Sequence, residues 1–199
     1  MTVQAGSDTR SLRAPRPHTR PLKPVLTQVT YGVGRWGTGE LVLRGDRPVH
    51  HELPWTGRAP SSVRHIDAED IADRRPTDAA ERYIKAFARY LSGRRVNFDA
   101  EAFGLDETCD EMGMTELERA IAHALARVKW GERVSYGELA ARAGRPGAPR
   151  AAGAFCSSRC PLDLLLPAHR VVRADGSLGE YGAHGVAYKQ RLLALEGSA

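Results

Sequence analysis

The fold of this chain of 199 residues is decided by the stretch VSYGELAARAGRPGAPRAAGA, residues 134–154. Ser135 and Glu138 form a capping box, so a short helix is expected to begin here and to end at Gly144. Pro149 is tolerated in the first turn of a helix, which favours a second helix just after a turn that contains glycine and proline. Two short helices joined by such a turn predict a helix-turn-helix motif.

A further helix and a buried strand are predicted on either side of this motif. Thr115 and Glu118 form a second capping box, so a helix is expected to begin there. After the motif, the apolar run Leu162–Leu166 is typical of a buried strand. This run leads into the sequence PAHR, residues 167–170. A buried strand that runs into a proline, a small residue and a histidine can hold one side chain in a fixed position.

The first half of the chain predicts a small sheet packed by a helix. Three short runs alternate apolar and polar residues, as antiparallel strands do. They are Gln28–Gly32, Glu40–Arg44 and Val49–Leu53. Apolar side chains then recur at helical spacing from Asp78 to Leu91, and Gly93 is expected to end that helix.

We therefore predict an α/β protein with a small, strand-rich N-terminal α/β domain and a C-terminal helix-turn-helix, winged-helix-like domain. The expected boundaries are a basic tail at 1–24, the N-terminal domain at 25–100, a linker at 101–113 and the C-terminal domain at 114–199. The tail combines prolines and arginines with almost nothing to bury, so we expect it to be disordered.

Positive charge is concentrated at both ends of the chain. Residues 1–24 carry five Arg or Lys and one Asp, and residues 114–199 carry twelve Arg or Lys and eight Asp or Glu. The formal net charge of the whole chain is +5, so the middle of the chain is acidic. Basic segments beside helical patterning favour a polyanion partner, although a solvated surface has the same composition.

The three cysteines, Cys109, Cys156 and Cys160, do not form a paired disulfide framework. Cys156 and Cys160 also lack the second ligand pair that a structural zinc site needs. We expect a reduced compartment and a soluble, cytoplasmic, monomeric protein that uses no metal and no cofactor and has no membrane segment.

Six blocks in the last two fifths of the chain resemble the DNA-binding, active-site domain of O6-alkylguanine-DNA alkyltransferases in order and nearly in spacing. They are Val134–Tyr136, Gly137–Ala140, Arg150–Gly153, Pro167–Val172, Gly179–Gly182 and Leu192–Gly197. The first half of the chain resembles that family's N-terminal domain more loosely. The resemblance implies a protein that binds double-stranded DNA containing O6-alkylguanine.

The resemblance also implies which residues contact DNA. In that family a helix-turn-helix enters the minor groove, and an arginine fills the gap left by a flipped guanine; Arg150 matches this arginine. Tyr136 matches a tyrosine that helps to turn the phosphate, and Ala151 and Gly153 lie beside Arg150 on the same helix. A planar guanidinium suits this position because it both stacks and donates hydrogen bonds.

The active-site match is complete except for the nucleophile. The family transfers the alkyl group to a cysteine thiolate activated through histidine, water and glutamate; His169 and Glu196 match the last two. Tyr181 matches a tyrosine that donates a hydrogen bond to guanine, and we expect Pro167 and Gly182 to line the same lesion pocket. Ala168 stands where the cysteine belongs, and a methyl group has no lone pair to donate.

Ala168 predicts a protein that flips O6-alkylguanine out of the duplex and retains it without alkyl transfer. Natural alkyltransferase-like proteins do this and pass the lesion to nucleotide excision repair. Three alternatives stay open: an enzyme inactivated by a Cys→Ala change, a winged-helix binder that flips no base, and a family member that uses His169 and Glu196 as acid and base on a small molecule. Cys160 replaces the family's hinge asparagine in a segment one residue longer than usual, which favours natural divergence.

Overall fold

A computed structural model describes residues 26–56, 71–73 and 75–197. The tail at 1–24, which is expected to be disordered, lies outside the described residues. The strands are β1 (Leu26–Val33), β2 (Gly37–Arg44), β3 (Arg47–Trp55), β4 (Ile71–Asp73), β5 (Val134–Ser135) and β6 (Val171–Val172). The helices are α1 (Asp78–Leu91), α2 (Leu105–Glu111), α3 (Glu116–Ala126), α4 (Tyr136–Arg142), α5 (Pro149–Ala154) and α6 (Gly185–Leu195).

The N-terminal sheet has the strand order β3-β2-β1-β4. Strands β1 to β3 form the antiparallel meander that the alternating pattern predicts, and each is longer than predicted. Gly37, which starts β2, has a φ of +96°, and a Cβ on it would collide with the backbone of Trp55. Only glycine fits this close approach. The sequence did not predict β4, which pairs with β1 in parallel.

Helix α1 has the predicted bounds and covers the sheet. The side chain of Thr77 caps its first turn by accepting a hydrogen bond from the backbone of Ala80, and Gly93 follows its end with a φ of +81°. Phe87 and Tyr90 are fully buried on its inner face. The apolar spacing identified Phe87 and did not include Tyr90.

The segment 101–113, which the sequence predicts to be a linker, contains helix α2. Leu105, Thr108 and Cys109 are buried on this helix. Seven residues are too few to show two turns of apolar spacing, so the pattern in the sequence did not reveal the helix. The boundaries of the two domains stay predictions.

The helix-turn-helix is confirmed in helices α4 and α5. Both predicted capping boxes are present: Thr115 with Glu118 at the start of α3, and Ser135 with Glu138 at the start of α4. Pro149 occupies the first turn of α5, where it costs no hydrogen bond. The chain between α4 and α5 turns at Gly144, which has a φ of +71°.

The segment after α5 differs from the sequence prediction. Residues Phe155–Arg159 form a π-helical turn, closed by a hydrogen bond from the Cys160 amide to the Phe155 carbonyl. One extra residue in a helix is commonly absorbed in this way. The predicted strand Leu162–Leu166 is wrong: the segment is buried but forms only isolated bridges, and Leu164 has a φ of +65°. A left-handed residue cannot continue a strand.

One buried apolar cluster includes side chains from both halves of the chain. Tyr90 of α1, Leu162 and Tyr188 of α6 all belong to it. The short parallel pair β5–β6 lies next to the turn that carries Ala168. Within the described ranges, no helix combines the length and the apolar character that a membrane crossing needs.

Candidate functional site

A buried polar network surrounds Glu196, which caps the end of α6. The Tyr90 hydroxyl donates a short hydrogen bond to Glu196 Oε1, and His169 Nε2 lies 3.0 Å from the same oxygen. Arg170 contacts both carboxylate oxygens, with Nη2 2.8 Å from Oε1. The Gly131 amide donates to Oε2 at 3.1 Å. These donors satisfy the carboxylate, which lies out of contact with water.

The charge states in this network follow from its donors. Burial opposes ionisation of Glu196, but the hydrogen bonds from His169 and Arg170 outweigh burial and hold its pKa below the ordinary value. Burial lowers the pKa of His169, which favours the neutral imidazole at neutral pH. Because Glu196 is an anion, we assign the imidazole proton to Nε2, leaving the lone pair on Nδ1. Among the described residues, Nδ1 has no hydrogen-bond partner.

Ala168 lies beside this network on a 3-10 turn rather than at the end of a strand. The side chain is 2% exposed, and the Ala168 amide donates to the Leu166 carbonyl at 2.8 Å. A methyl group at this position has neither a proton to lose nor a lone pair to attack with. Position 168 therefore supplies shape but no covalent chemistry.

Tyr181 and Gly182 line a cavity of about 420 Å³ near this network. Tyr181 is buried, and its hydroxyl has no hydrogen-bond partner among the described residues. A buried hydroxyl without a partner costs free energy unless a ligand or water satisfies it. Pro167 was predicted to share this pocket, but it lines a different cavity, together with Arg170 and Leu165.

Tyr136 is held at the start of α4 by two glycines. A Cβ on Gly179 would collide with the Tyr136 hydroxyl, whereas a Cβ on Gly153 would make an ordinary contact of 3.8 Å with its ring. The ring is half-buried, and burial raises the pKa of its hydroxyl. The absence of a side chain at Gly179 thus leaves the space that the Tyr136 hydroxyl occupies.

Arg150 is exposed on α5, the second helix of the motif. In the described parts of the chain its guanidinium has no hydrogen-bond or ion-pair partner, and Ala151 is half-buried beside it. Residues predicted to contact DNA thus divide into Arg150, which faces solvent, and Tyr136, which packs against the protein. An exposed guanidinium on such a helix is available to a nucleic acid.

Cys156 and Cys160 both line the cavity. Burial raises the pKa of Cys156 to about 12, so this residue is a thiol at neutral pH. Cys160 Sγ lies 3.9 Å from the Leu166 carbonyl, within a segment that also lines the cavity. Both positions support the prediction that these cysteines serve packing.

Comparison with known proteins shows which family the C-terminal part of the chain resembles. Residues 116–198 match the family described as the DNA-binding domain of 6-O-methylguanine DNA methyltransferase. In this part the chain is similar to the O6-alkylguanine-DNA alkyltransferase family. The methylated-DNA--protein-cysteine methyltransferase of Methanothermobacter thermautotrophicus is 39% identical over 126 residues, which are 63% of this chain and 65% of that protein. The Mus musculus protein of the same name is 54% identical over 70 residues, 35% of this chain and 33% of its own length.

Solved structures extend the likeness to the whole alkyltransferase fold. The Mycobacterium tuberculosis O6-methylguanine methyltransferase superposes with a TM-score of 0.62 at 25% identity, covering 87% of this chain and 94% of its own. The enzyme from Pyrococcus kodakaraensis gives a TM-score of 0.59 at 25% identity, covering 87% and 99%. By sequence, however, the chain spans about two thirds or less of the curated relatives described here.

Two features of the candidate site were missed by sequence reasoning. The first is Tyr90, which joins the Glu196 network from helix α1. The one signal for it in the sequence was a residue with a hydroxyl group among the apolar residues of that helix. The second feature is a cluster of Glu52, Asp163 and His184 in the wall of the cavity. These three residues come from distant parts of the chain, and no spacing in the sequence connects them.

Proposed function

We propose that this protein binds duplex DNA through helices α4 and α5, flips an O6-alkylated guanine into the cavity lined by Tyr181, and retains it without alkyl transfer. The observation that carries this proposal is the pairing of Ala168, which by the resemblance occupies the position of the family's acceptor cysteine, with a neighbouring His169–Glu196 pair. Binding and chemistry use different atoms of such a site, so the loss of one thiol removes the chemistry alone.

The unpartnered hydroxyl of Tyr181 supports retention of a flipped base. A buried phenol can donate to a guanine ring nitrogen or oxygen, and the cost of leaving it unpaired would then be recovered on binding. A flipped base costs a few kcal/mol to unstack, least for a lesion that pairs badly. A lesion is therefore favoured before any contact in the cavity forms.

The exposed guanidinium of Arg150 supports a role in base extrusion. Arg150 lies on α5 beside Ala151 and Gly153, where a small residue lets the helix approach the DNA backbone closely. Tyr136, fixed against Gly179, supplies an aromatic group at the neighbouring helix start. Both side chains fit the proposed minor-groove contact.

The intact His169–Glu196 pair does not by itself argue for an active enzyme. Glu196 accepts hydrogen bonds from both Tyr90 and Arg170, so it joins α1 to the turn after Ala168. Removing one partner of a buried charge strongly destabilises a protein. The pair is thus retained for stability even where it activates no nucleophile.

A binder without chemistry needs a partner that removes the lesion, and we propose that nucleotide-excision-repair proteins do so. A monomer that binds a lesion and covers it can mark the site for these repair proteins. The proposal places the protein wherever genomic DNA is found, which in a bacterium or archaeon is the cytoplasm.

Fluorescence anisotropy on two matched duplexes, one with O6-methylguanine and one with guanine, tests the proposal. We expect tighter binding of the lesion duplex, with both affinities falling as salt rises because phosphate contacts release counterions. The variant Arg150→Ala should weaken lesion binding most, whereas Arg35→Ala, in the N-terminal domain, serves as the matched charge control. Equal affinity for the two duplexes would overturn the proposal in favour of a winged-helix binder.

A further inference from the structure

Three metal-ligating side chains from distant segments meet in the wall of the cavity. Glu52 lies on β3, Asp163 follows the π-helical turn, and His184 lies just before α6. His184 Nε2 is 3.2 Å from Asp163 Oδ2 and 3.2 Å from Glu52 Oε1. One ligand atom from each residue lies within 4.8 Å of the other two. We call these three residues the His184 cluster.

The hydrogen bonds within the His184 cluster do not satisfy its polar atoms. The His184 Nε2 proton bonds to Asp163 Oδ2, while Glu52 Oε1 stands at a similar distance without a hydrogen bond of suitable geometry. Among the described residues, the buried His184 Nδ1 also has no hydrogen-bond partner. The His184 side chain is 6% exposed, so bulk water does not compensate. A bound ion, a ligand or an ordered water in the cavity would satisfy these atoms.

The chemical make-up of the cluster also suits a cation. It brings two carboxyl groups and one imidazole within ligand distance of one another. His50 Nε2 lies 3.9 Å from the other oxygen of Glu52, so a further nitrogen donor stands beside the cluster.

We propose that Glu52, Asp163 and His184 bind a divalent transition-metal ion of the Zn²⁺ class. One imidazole nitrogen and two carboxylate oxygens are a donor set that Zn²⁺ accepts, and a catalytic type of zinc site has three protein ligands and one open position. The fourth position falls to His50, to water or to an oxygen of a ligand in the cavity. An ion here joins the N-terminal sheet to the DNA-binding domain.

This site goes beyond the proposed lesion binding and does not depend on it. The cluster shares the cavity with Tyr181 and Gly182. A bound ion gives that cavity a Lewis acid, which prefers a ligand with an oxygen or nitrogen donor to a purely apolar one. The ligand class expected for the cavity is therefore polar or anionic.

Zinc titration of the full chain, first stripped with a chelator, tests the site in the absence of DNA. Competition against a chromophoric chelator should give one Zn²⁺ per chain, and the thermal midpoint should rise with Zn²⁺ because the ion binds the folded state. Each of Glu52→Gln, Asp163→Asn and His184→Gln should weaken zinc binding at least about tenfold. The variant His123→Gln, in a surface pair with Asp106, should bind zinc as the parent does.

Circular dichroism of the zinc-free variants separates loss of a ligand from loss of the fold. Glu52→Gln removes a carboxylate and keeps the size of the side chain, so we expect it to fold. Its zinc affinity therefore tests the site even if either of the other variants unfolds. Absence of saturable binding by the folded parent chain would overturn the proposal. So would zinc binding that survives Glu52→Gln and disappears when Cys156 and Cys160 are both changed to Ser, since the cysteines would then be the ligands.

Discussion

Tyr90 and Glu196 form a buried hydrogen bond that joins helix α1 to the end of helix α6. The same hydroxyl lies 2.9 Å from His169 Nε2. The N-terminal half of the chain therefore contributes directly to the polar network beside Ala168. A carboxylate buried in this way depends on all of its donors, because each unpaired lone pair costs desolvation free energy.

Removing the Tyr90 hydroxyl should destabilise the protein measurably. We expect Tyr90→Phe to lower the free energy of unfolding by about 2 kcal/mol, since it deletes a hydrogen bond to a charged group while Arg170 and Gly131 continue to hold Glu196. Urea unfolding measures the change. Tyr83→Phe, on the same helix and half-buried, is the control and should change stability by less than about 0.5 kcal/mol. Equal effects of the two changes would contradict the role of Tyr90.

Acid should remove the stability that Glu196 contributes. Its pKa is lower in the folded state than in the unfolded chain, so the unfolded state binds more protons below about pH 5, and stability falls as the pH falls. We expect Glu196→Gln to cost about 3 to 5 kcal/mol at pH 7, because Arg170 loses its anion. The variant should also show a shallower loss of stability between pH 5 and pH 3. Urea unfolding at several pH values compares the slopes, and identical slopes would count against this assignment.

Local signals in the sequence predicted the helix-turn-helix because capping boxes and turn glycines act over three or four residues. The bounds of α1 followed from spacing in the same way. Leu162–Leu166 was mistaken for a strand because its apolar content is the same in either conformation, whereas Leu164 takes a left-handed conformation that only the surrounding packing imposes. Helix α2 is too short to show a period.

The candidate site was predictable where a motif places its residues and unpredictable where tertiary contacts do. His169, Tyr181 and Glu196 were found through the resemblance of their blocks to a family. Tyr90 and the His184 cluster could not be predicted from the sequence. Each is defined by direct contacts between residues that lie far apart along the chain. Pro167 shows the converse: adjacency to Ala168 in sequence did not put it in the same cavity as Tyr181.

A side chain at Gly179 should displace Tyr136, whereas one at Gly153 should fit beside it. A Cβ on Gly179 collides with the Tyr136 hydroxyl, so Gly179→Ala should displace Tyr136 and weaken DNA binding along with stability. Gly153→Ala makes an ordinary contact with the same ring and should raise helix stability by up to about 1 kcal/mol. Thermal unfolding and anisotropy measure both. If Gly179→Ala left DNA binding unchanged, Tyr136 would not need its present position.

The protein should acquire no methyl group from labelled O6-methylguanine DNA. Ala168 cannot accept one, and the raised pKa of Cys156 leaves almost no thiolate at neutral pH. Intact-protein mass spectrometry after incubation with the duplex is the measurement, with the Methanothermobacter thermautotrophicus methyltransferase as the positive control. An added methyl mass that maps to Cys156 or Cys160 would reveal a relocated nucleophile.

Introducing the missing thiol should restore little alkyl transfer. If Ala168 were the single defect, a cysteine at this position would lie beside neutral His169. The lone pair on a ring nitrogen of His169 would accept the thiol proton, and activity would return. The segment between α5 and Pro161 argues against this outcome. Residues Phe155–Arg159 form a π-helical turn there. By the resemblance to the family, we expect this segment to be one residue longer than usual and Cys160 to stand at the position of the hinge asparagine. We expect the turn that bears residue 168 to be shifted relative to helix α5.

Single-turnover kinetics of Ala168→Cys on O6-methylguanine DNA measures the consequence. In-line displacement tolerates misplacement poorly, and about 1 Å can cost on the order of a hundredfold in rate. We therefore expect a rate at least about a hundredfold below that of the Methanothermobacter thermautotrophicus enzyme, with lesion binding retained because stacking and phosphate contacts tolerate small displacements. A second variant, Ala168→Ser, controls for the added volume. A rate equal to that of the active relative would show that the site lacks one sulfur atom and nothing else, and would favour an enzyme inactivated at position 168.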